Sequence, residues 1–192
     1  MTRFRALRAL RGERGYSLIE MLVTLVIMSV VMGALTTVFV QASNSELDMN
    51  NRFQAQQESR LALDKMRREV HCGSVATPAG QSSSVTLTLP AYCKTGSGSI
   101  TWCTRNVSTN RYALYRVVGS TCSGGVKWAD YLVPTSSAPV CSGTLCIFTY
   151  TAQSTSSLAK LHVDFPVNVK PDKSVELYEL ADDIVLRNST RS

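Results

Sequence analysis

Twenty consecutive residues, Met21 to Val40 (MLVTLVIMSVVMGALTTVFV), carry neither charge nor proline, and that is the length an α-helix needs to cross the hydrocarbon of a bilayer. Such a run constrains what stands on either side of it. Before it, the first fifteen residues carry Arg3, Arg5, Arg8, Arg11 and Arg14 against Glu13 alone, so most of the formal net charge of +6 sits in a short leader. The rest of the chain is nearly neutral. The positive-inside rule then places the N-terminus in the cytoplasm and everything after the run outside. An ordinary secretory signal has an apolar core of about 7 to 15 residues before a small-x-small site. Val40-Gln41-Ala42 fits that site loosely, so a removed signal peptide and a plain single-span anchor are the competing readings.

Six cysteines, Cys72, Cys93, Cys103, Cys122, Cys141 and Cys146, all follow the apolar run. An even number in an exported segment reads as disulfides. Zinc would call for C-x2-C pairs or nearby histidines, whereas the closest pair, Cys141 and Cys146, has four residues between them and no histidine beside them. Local pairing favours Cys141 with Cys146 and Cys93 with Cys103, which leaves Cys72 with Cys122. With 192 residues and 44% hydrophobic content, the chain has enough apolar surface for one modest globular core beside the span, and hardly for two.

Gln41 to Cys72 contains neither proline nor glycine, and Phe53, Leu63, Met66 and Val70 fall at roughly helical spacing. The helix is therefore expected to continue past the membrane. Tyr16 to Cys72 would measure about 85 Å at 1.5 Å per residue, of which about 30 Å lies in lipid. Arg60 with Asp64, Asp64 with Arg68, and Lys65 with Glu69 are opposite charges four apart, as on a solvated helix face. Acids alternate with bases in this stretch, so no specific nucleic-acid partner is predicted.

After Cys72 the composition turns to Ser, Thr, Gly and β-branched residues. Gly73 to Ser84 reads as a loop from its Pro78 and Gly80. Val85–Leu89, Ile100–Thr104, Tyr112–Val117, Cys146–Thr151, Leu158–Phe165 and Val175–Leu180 read as strands, mostly alternating with period two. Ser120 to Gly143, rich in Ser, Gly and Pro, is too long for an unstapled loop. The economical architecture is α+β: one long N-terminal helix whose exported half packs on an antiparallel β-sheet.

Glu20 is the residue that a simple anchor does not explain. It opens the apolar run within Gly15-Tyr16-Ser17-Leu18-Ile19-Glu20. A charge at the bilayer centre costs about 2.5 to 3.5 kcal/mol on insertion scales, less toward the end of a span, so such an acid usually has a partner or a function. Cleavage after Gly15 would create an amine on Tyr16, about 6 Å along the helix axis from Glu20. A neighbouring subunit shifted along the axis could bring its own new amine to this carboxylate.

A basic leader, a glycine before the cut, an aromatic first residue, Leu-Ile-Glu and then about twenty apolar residues together resemble the type IV pilin and pseudopilin signature, here over Arg11 to about Gln41. The resemblance implies a pilin-like fold, cleavage after Gly15 by a prepilin peptidase, and methylation of the new N-terminus on Tyr16. It also implies that Glu20 neutralises the N-terminus of an adjacent subunit during assembly. Leader 1–15, helix 16–72 with its span at about 20–41, and an outer disulfide-braced domain 73–192 follow as the expected division. The implied partners are other pilin or pseudopilin subunits, the prepilin peptidase, an inner-membrane assembly platform and the lipid bilayer. The implied location is the bacterial cytoplasmic membrane, single-pass, and then a pilus or pseudopilus filament at the cell surface. Thr37 stands where major pilins often carry a helix-bending proline, which favours a minor pilin or pseudopilin. The order Leu63 to Glu69 (Leu-x-x-x-Arg-Arg-Glu), Trp102, Leu114-Tyr115-Arg116 and Asp182 to Leu186 loosely resembles the J-type minor pseudopilins.

No catalytic set is visible. Only His71 and His162 are available as bases, and G-x-S-x-G is absent from the sequence. No enzyme activity, cofactor or metal is predicted. Asp182 and Asp183 project differently from a strand and supply too few oxygens for calcium. The sequons at Asn106 and Asn188 matter only where a glycosylation system exists. The reading from another functional class is a membrane-anchored or secreted extracytoplasmic binding domain that does not assemble.

Overall fold

In a computed structural model of the chain, residues 15–94, 96–171, 173 and 176–189 are described. The leader arginines, Val175 and Thr190 of the second sequon lie outside them. The chain divides into two compact units, Met1–Leu47 and Asp48–Ser192. One helix, α1 (Leu18–Cys72), contributes to both.

In the first unit every described residue of α1 up to Gln41 is exposed, and the helix is long and apolar enough to cross a membrane. Its four hydroxyls between Met21 and Val40 are satisfied within the helix. Thr24 donates to the Met21 carbonyl at 2.9 Å, Ser29 to Val26 at 2.7 Å, Thr36 to Met32 at 2.7 Å and Thr37 to Ala34 at 2.8 Å. In lipid no water is available to take these bonds, so local pairing makes the polar residues tolerable there.

In the second unit α1 buries a narrow stripe of Ala55, Ser59, Ala62, Leu63, Met66, Glu69 and Val70. Small residues begin the stripe and larger ones end it. Phe53, expected on this face, is instead 65% exposed; Ala55, two positions on, faces inward in its place. The stripe packs on a nine-stranded sheet in the order β1-β3-β4-β5-β6-β10-β9-β2, with β11 added to β10. The strands are β1 (Val75–Thr77), β2 (Gly80–Ser82), β3 (Ser84–Leu89), β4 (Gly98–Ser108), β5 (Arg111–Val118) and β6 (Val126–Leu132). Then follow a small separate hairpin of β7 (Val140–Cys141) and β8 (Thr144–Leu145), and β9 (Phe148–Thr151), β10 (Lys160–Val167) and β11 (Tyr178–Val185). All pairings are antiparallel.

Three sequence expectations change. The segment Gly73 to Ser84 is not simply a loop, because β1 and β2 lie within it and pair with β3 and β9. The last strand begins at Tyr178 and runs to Val185, where the sequence placed Val175 to Leu180. Within Ser120 to Gly143 lies an unforeseen strand, β6, which pairs with β5 through two register shifts. The turn before β6 demands glycine at position 125: φ is +84°, and an added Cβ would meet the Arg116 carbonyl oxygen at 2.5 Å.

The six cysteines form three disulfides, Cys72–Cys93, Cys103–Cys122 and Cys141–Cys146. The first two replace the expected Cys93–Cys103 and Cys72–Cys122. Cys72 ends the helix beside the turn that carries Cys93, with Cα atoms 5.9 Å apart. Cys103, in β4, is joined to the glycine-rich turn before β6. Strand register and helix end decide these partners, and neither can be read from cysteine spacing.

Candidate assembly site

Gly15, Tyr16 and Ser17 lie outside regular secondary structure and are exposed, and α1 begins at Leu18. The Ser17 carbonyl accepts from the amides of Glu20 at 2.9 Å and Met21 at 3.1 Å, which fixes the first turn. Glu20 lies in that turn, where the positive end of the helix dipole favours an acid. Its side chain is exposed. Among the described residues, no side chain of the same chain hydrogen-bonds or ion-pairs with it. Apart from Glu20 itself and the hydroxyls of Thr24, Ser29, Thr36 and Thr37, which bond within the helix, the exposed side chains from Leu18 to Val40 are apolar. The geometry is a largely apolar cylinder whose one carboxylate, near its N-terminal end, has no partner among the described residues.

The far end of the same helix is built differently. Glu69 has no exposed surface, yet both its oxygens are engaged. The indole N–H of Trp102 donates to Oε2 at 2.8 Å, Nε of Arg116 donates to Oε1 at 2.8 Å, and Lys65 Nζ lies 3.3 Å from Oε1. Arg67 donates to Asp182 of β11 at 2.7 Å, and Asn188 donates to the Cys72 carbonyl at 3.0 Å. Leu63 to Glu69, Trp102, Leu114 to Arg116 and Asp182, four stretches far apart in sequence, thus meet in one helix-to-sheet anchor. Sequence reasoning named these stretches without seeing that they touch.

Other charged groups also turn out to be structural. Asp182 is held by Arg67, and Asp183 by Lys160 at 3.0 Å and His162 at 2.8 Å, which accounts for the acids once weighed for calcium. Asp183 is held below the usual carboxylate range by hydrogen bonds from Lys160 and then His162. Among the described residues no cluster of three or more His, Cys, Asp or Glu could hold a metal ion. His71 Nδ1 bonds the Val185 carbonyl at 2.9 Å, beside the end of the last strand. Arg60, expected to pair with Asp64, reaches the Tyr178 hydroxyl instead, while Asp64 pairs with Arg67. Lys65 does pair with Glu69 as its spacing suggests.

Asp130 is a cluster the sequence did not reveal. Arg111 donates to both its oxygens, at 3.0 and 2.9 Å, Lys127 approaches at 2.8 Å, and the Tyr131 amide donates at 2.7 Å. Burial by itself would raise the Asp130 carboxyl, but these donors outweigh it and hold the group below its ordinary range. Tyr131 has φ of +60°, unusual for a side-chain-bearing residue, and its ring lies under the Arg111 guanidinium at 4.0 Å.

Residues 10–36 match the family model described as the prokaryotic N-terminal methylation motif. The chain therefore carries a type IV pilin-type N-terminal signature, and the match spans Gly15, Tyr16, Glu20 and most of the apolar run. That signature is one of structural subunits and of prepilin peptidase substrates. With the exposed apolar helix it makes this a membrane-anchored chain whose remainder lies outside. No curated protein and no solved structure matches the chain.

Proposed function

We propose that the chain is a minor pilin or pseudopilin, a structural subunit that enters a type IV pilus or type II secretion-like filament through its N-terminal helix. The observation that carries this reading is Glu20: an exposed acid, without a partner among the described residues of its own chain, in the first turn of a helix otherwise suited to lipid. Prepilin peptidase removes leader 1–15 by cutting after Gly15, and Tyr16 becomes the methylated N-terminus. Residues of about 20–41 lie in the bilayer, and 73–192 form the disulfide-braced outer domain. In the membrane Glu20 accepts the Tyr16 ammonium of a neighbouring subunit, and the cost of burying each charge is offset only when both subunits are present. The inner-membrane assembly platform then moves the helix out of the bilayer into the filament.

The mature N-terminus tests the processing step. Sequencing of the protein purified from membranes should begin at an N-methylated Tyr16. A start at Ser43 would mean a cleaved signal, and Met1 or Thr2 would mean an uncut anchor; either overturns the proposal.

A further inference from the structure

Strand β6 does not keep the simple alternation of a two-faced strand. Its pairing with β5 shifts register twice, and Tyr131 lies at φ of +60°, features that turn side chains out of their ordinary order. Asp130 and Tyr131, neighbours in sequence, consequently line one cleft, together with Lys127 and with Arg111 of β5. The helix side of the cleft is formed by Asn51, Gln54 and Glu58 of α1, and the space within is about 230 Å³. Both sides belong to the second unit.

On the sheet side two cations surround one acid. Asp130 is 4% exposed, and its oxygens accept from Arg111, Lys127 and the Tyr131 amide. The acid thereby fixes both cations, and the Tyr131 ring holds the Arg111 guanidinium from below. The remaining N–H groups of Arg111 and Lys127 have no acceptor among the described residues, so this side keeps a positive charge in excess. On the helix side the half-buried Glu58 accepts a long bond from Gln54, at 3.3 Å. Among the described residues no cation lies within 4.0 Å of its carboxylate. The two sides are near enough to act on each other: the Lys127 ammonium is favoured first by its bond to Asp130 and last by the field of Glu58. Two charges of opposite sign thus line one cleft without meeting.

We propose that this cleft binds a small zwitterion of the free amino-acid class, its carboxylate taken by Arg111 and Lys127 and its ammonium by Glu58. Neither a simple anion nor a simple cation satisfies both charges. Arg111 and Lys127 are already oriented by Asp130, so a carboxylate meets charge-assisted donors without first ordering them. The space is smaller than the roughly 300 to 1,000 Å³ of pockets for drug-sized ligands, which suits a ligand of few atoms. Asn51 and Gln54 add carboxamides, each able to donate and accept, beside the place of its side chain. The site does not depend on the assembly reading, because none of these residues lies in the membrane-spanning part of α1.

Titration of the isotope-labelled, full-length protein in detergent micelles at pH 7, followed by NMR, tests the site. L-Alanine should shift the amide signals of Lys127 and Tyr131 saturably, with half-saturation at about 1 mM. Acetate and methylammonium, which each carry one of the two charges, should require at least about tenfold more. Glu58→Gln should weaken L-alanine binding about tenfold and leave acetate unchanged, whereas Lys127→Met should weaken both. Each variant's own spectrum reports whether it is folded, and Glu58→Gln decides alone if Lys127→Met is not. The proposal is overturned by the absence of a saturable shift with L-alanine up to about 50 mM. Acetate as effective as L-alanine would overturn it as well, as would wild-type affinity for L-alanine in Glu58→Gln.

Discussion

Two glutamates on one helix, Glu20 and Glu69, have opposite surroundings. Glu69 is fully buried and meets an indole N–H, a guanidinium and an ammonium of its own chain. Glu20 is exposed, sits among apolar side chains and meets no such group among the described residues. A buried carboxylate is tolerable only when its charge is matched. Glu69 solves that problem within the chain, so its work is folding. Glu20 leaves it open until lipid surrounds it and a second chain arrives, so its proposed work is assembly.

The largest expected effect falls on the folded partner. Glu69→Ala leaves the Arg116 charge and the Trp102 donor without their acceptor, and breaking such a buried pair costs about 3 to 5 kcal/mol. Denaturant unfolding in micelles, followed by tryptophan fluorescence, checks this, because Trp102 and Trp128 lie 5.8 Å apart at the same anchor. A change below 1 kcal/mol, roughly the level of an exposed ion pair, would remove the contrast with Glu20.

The disulfides come next. Cys103 and Cys122 are 19 residues apart in sequence and Cys141 and Cys146 are 5 apart. Loop-closure entropy predicts losses of about 3 kcal/mol when the first pair is replaced by serines and about 2 kcal/mol for the second. The same unfolding experiment ranks them. Such losses should leave Glu20-dependent incorporation intact wherever the outer domain still folds.

Acid titrates Asp130 against its donors. Its folded carboxyl is held low, so its contribution is complete above the ordinary carboxylate range and is lost as pH falls through the lowered value. Melting temperature should therefore fall more steeply in acid for the wild type than for Asp130→Asn, which starts less stable. The smallest effect belongs to Arg60→Ala. It removes an exposed contact with Tyr178 and should change stability by no more than about 0.5 kcal/mol.

Features encoded by local pattern were the ones legible in the sequence. The absence of proline and glycine from Gln41 onward marks the helix up to Cys72, and period-two alternation finds β3, β4, β5 and β10 with errors at their ends. Strand β6 is hidden because Val126 to Leu132 lies in a Ser-, Gly- and Cys-rich stretch and its pairing is broken by bulges. Phe53 misleads because hydrophobicity at helical spacing does not say which side the sheet occupies. Asp164 looks like any polar residue facing outward from a strand, yet the fold leaves it only 2% exposed. The roles proposed for Gly15, Tyr16 and Glu20 rest on register along the chain rather than on tertiary contacts.

The contrast rests finally on Glu20, and replacing it in the native host tests it most directly. Glu20→Ala should give a protein that inserts in the membrane, is cut to begin at Tyr16 and keeps a folded, disulfide-bonded outer domain, yet is missing from sheared filaments. Recovery of Glu20→Ala in those filaments at the wild-type level would contradict the account.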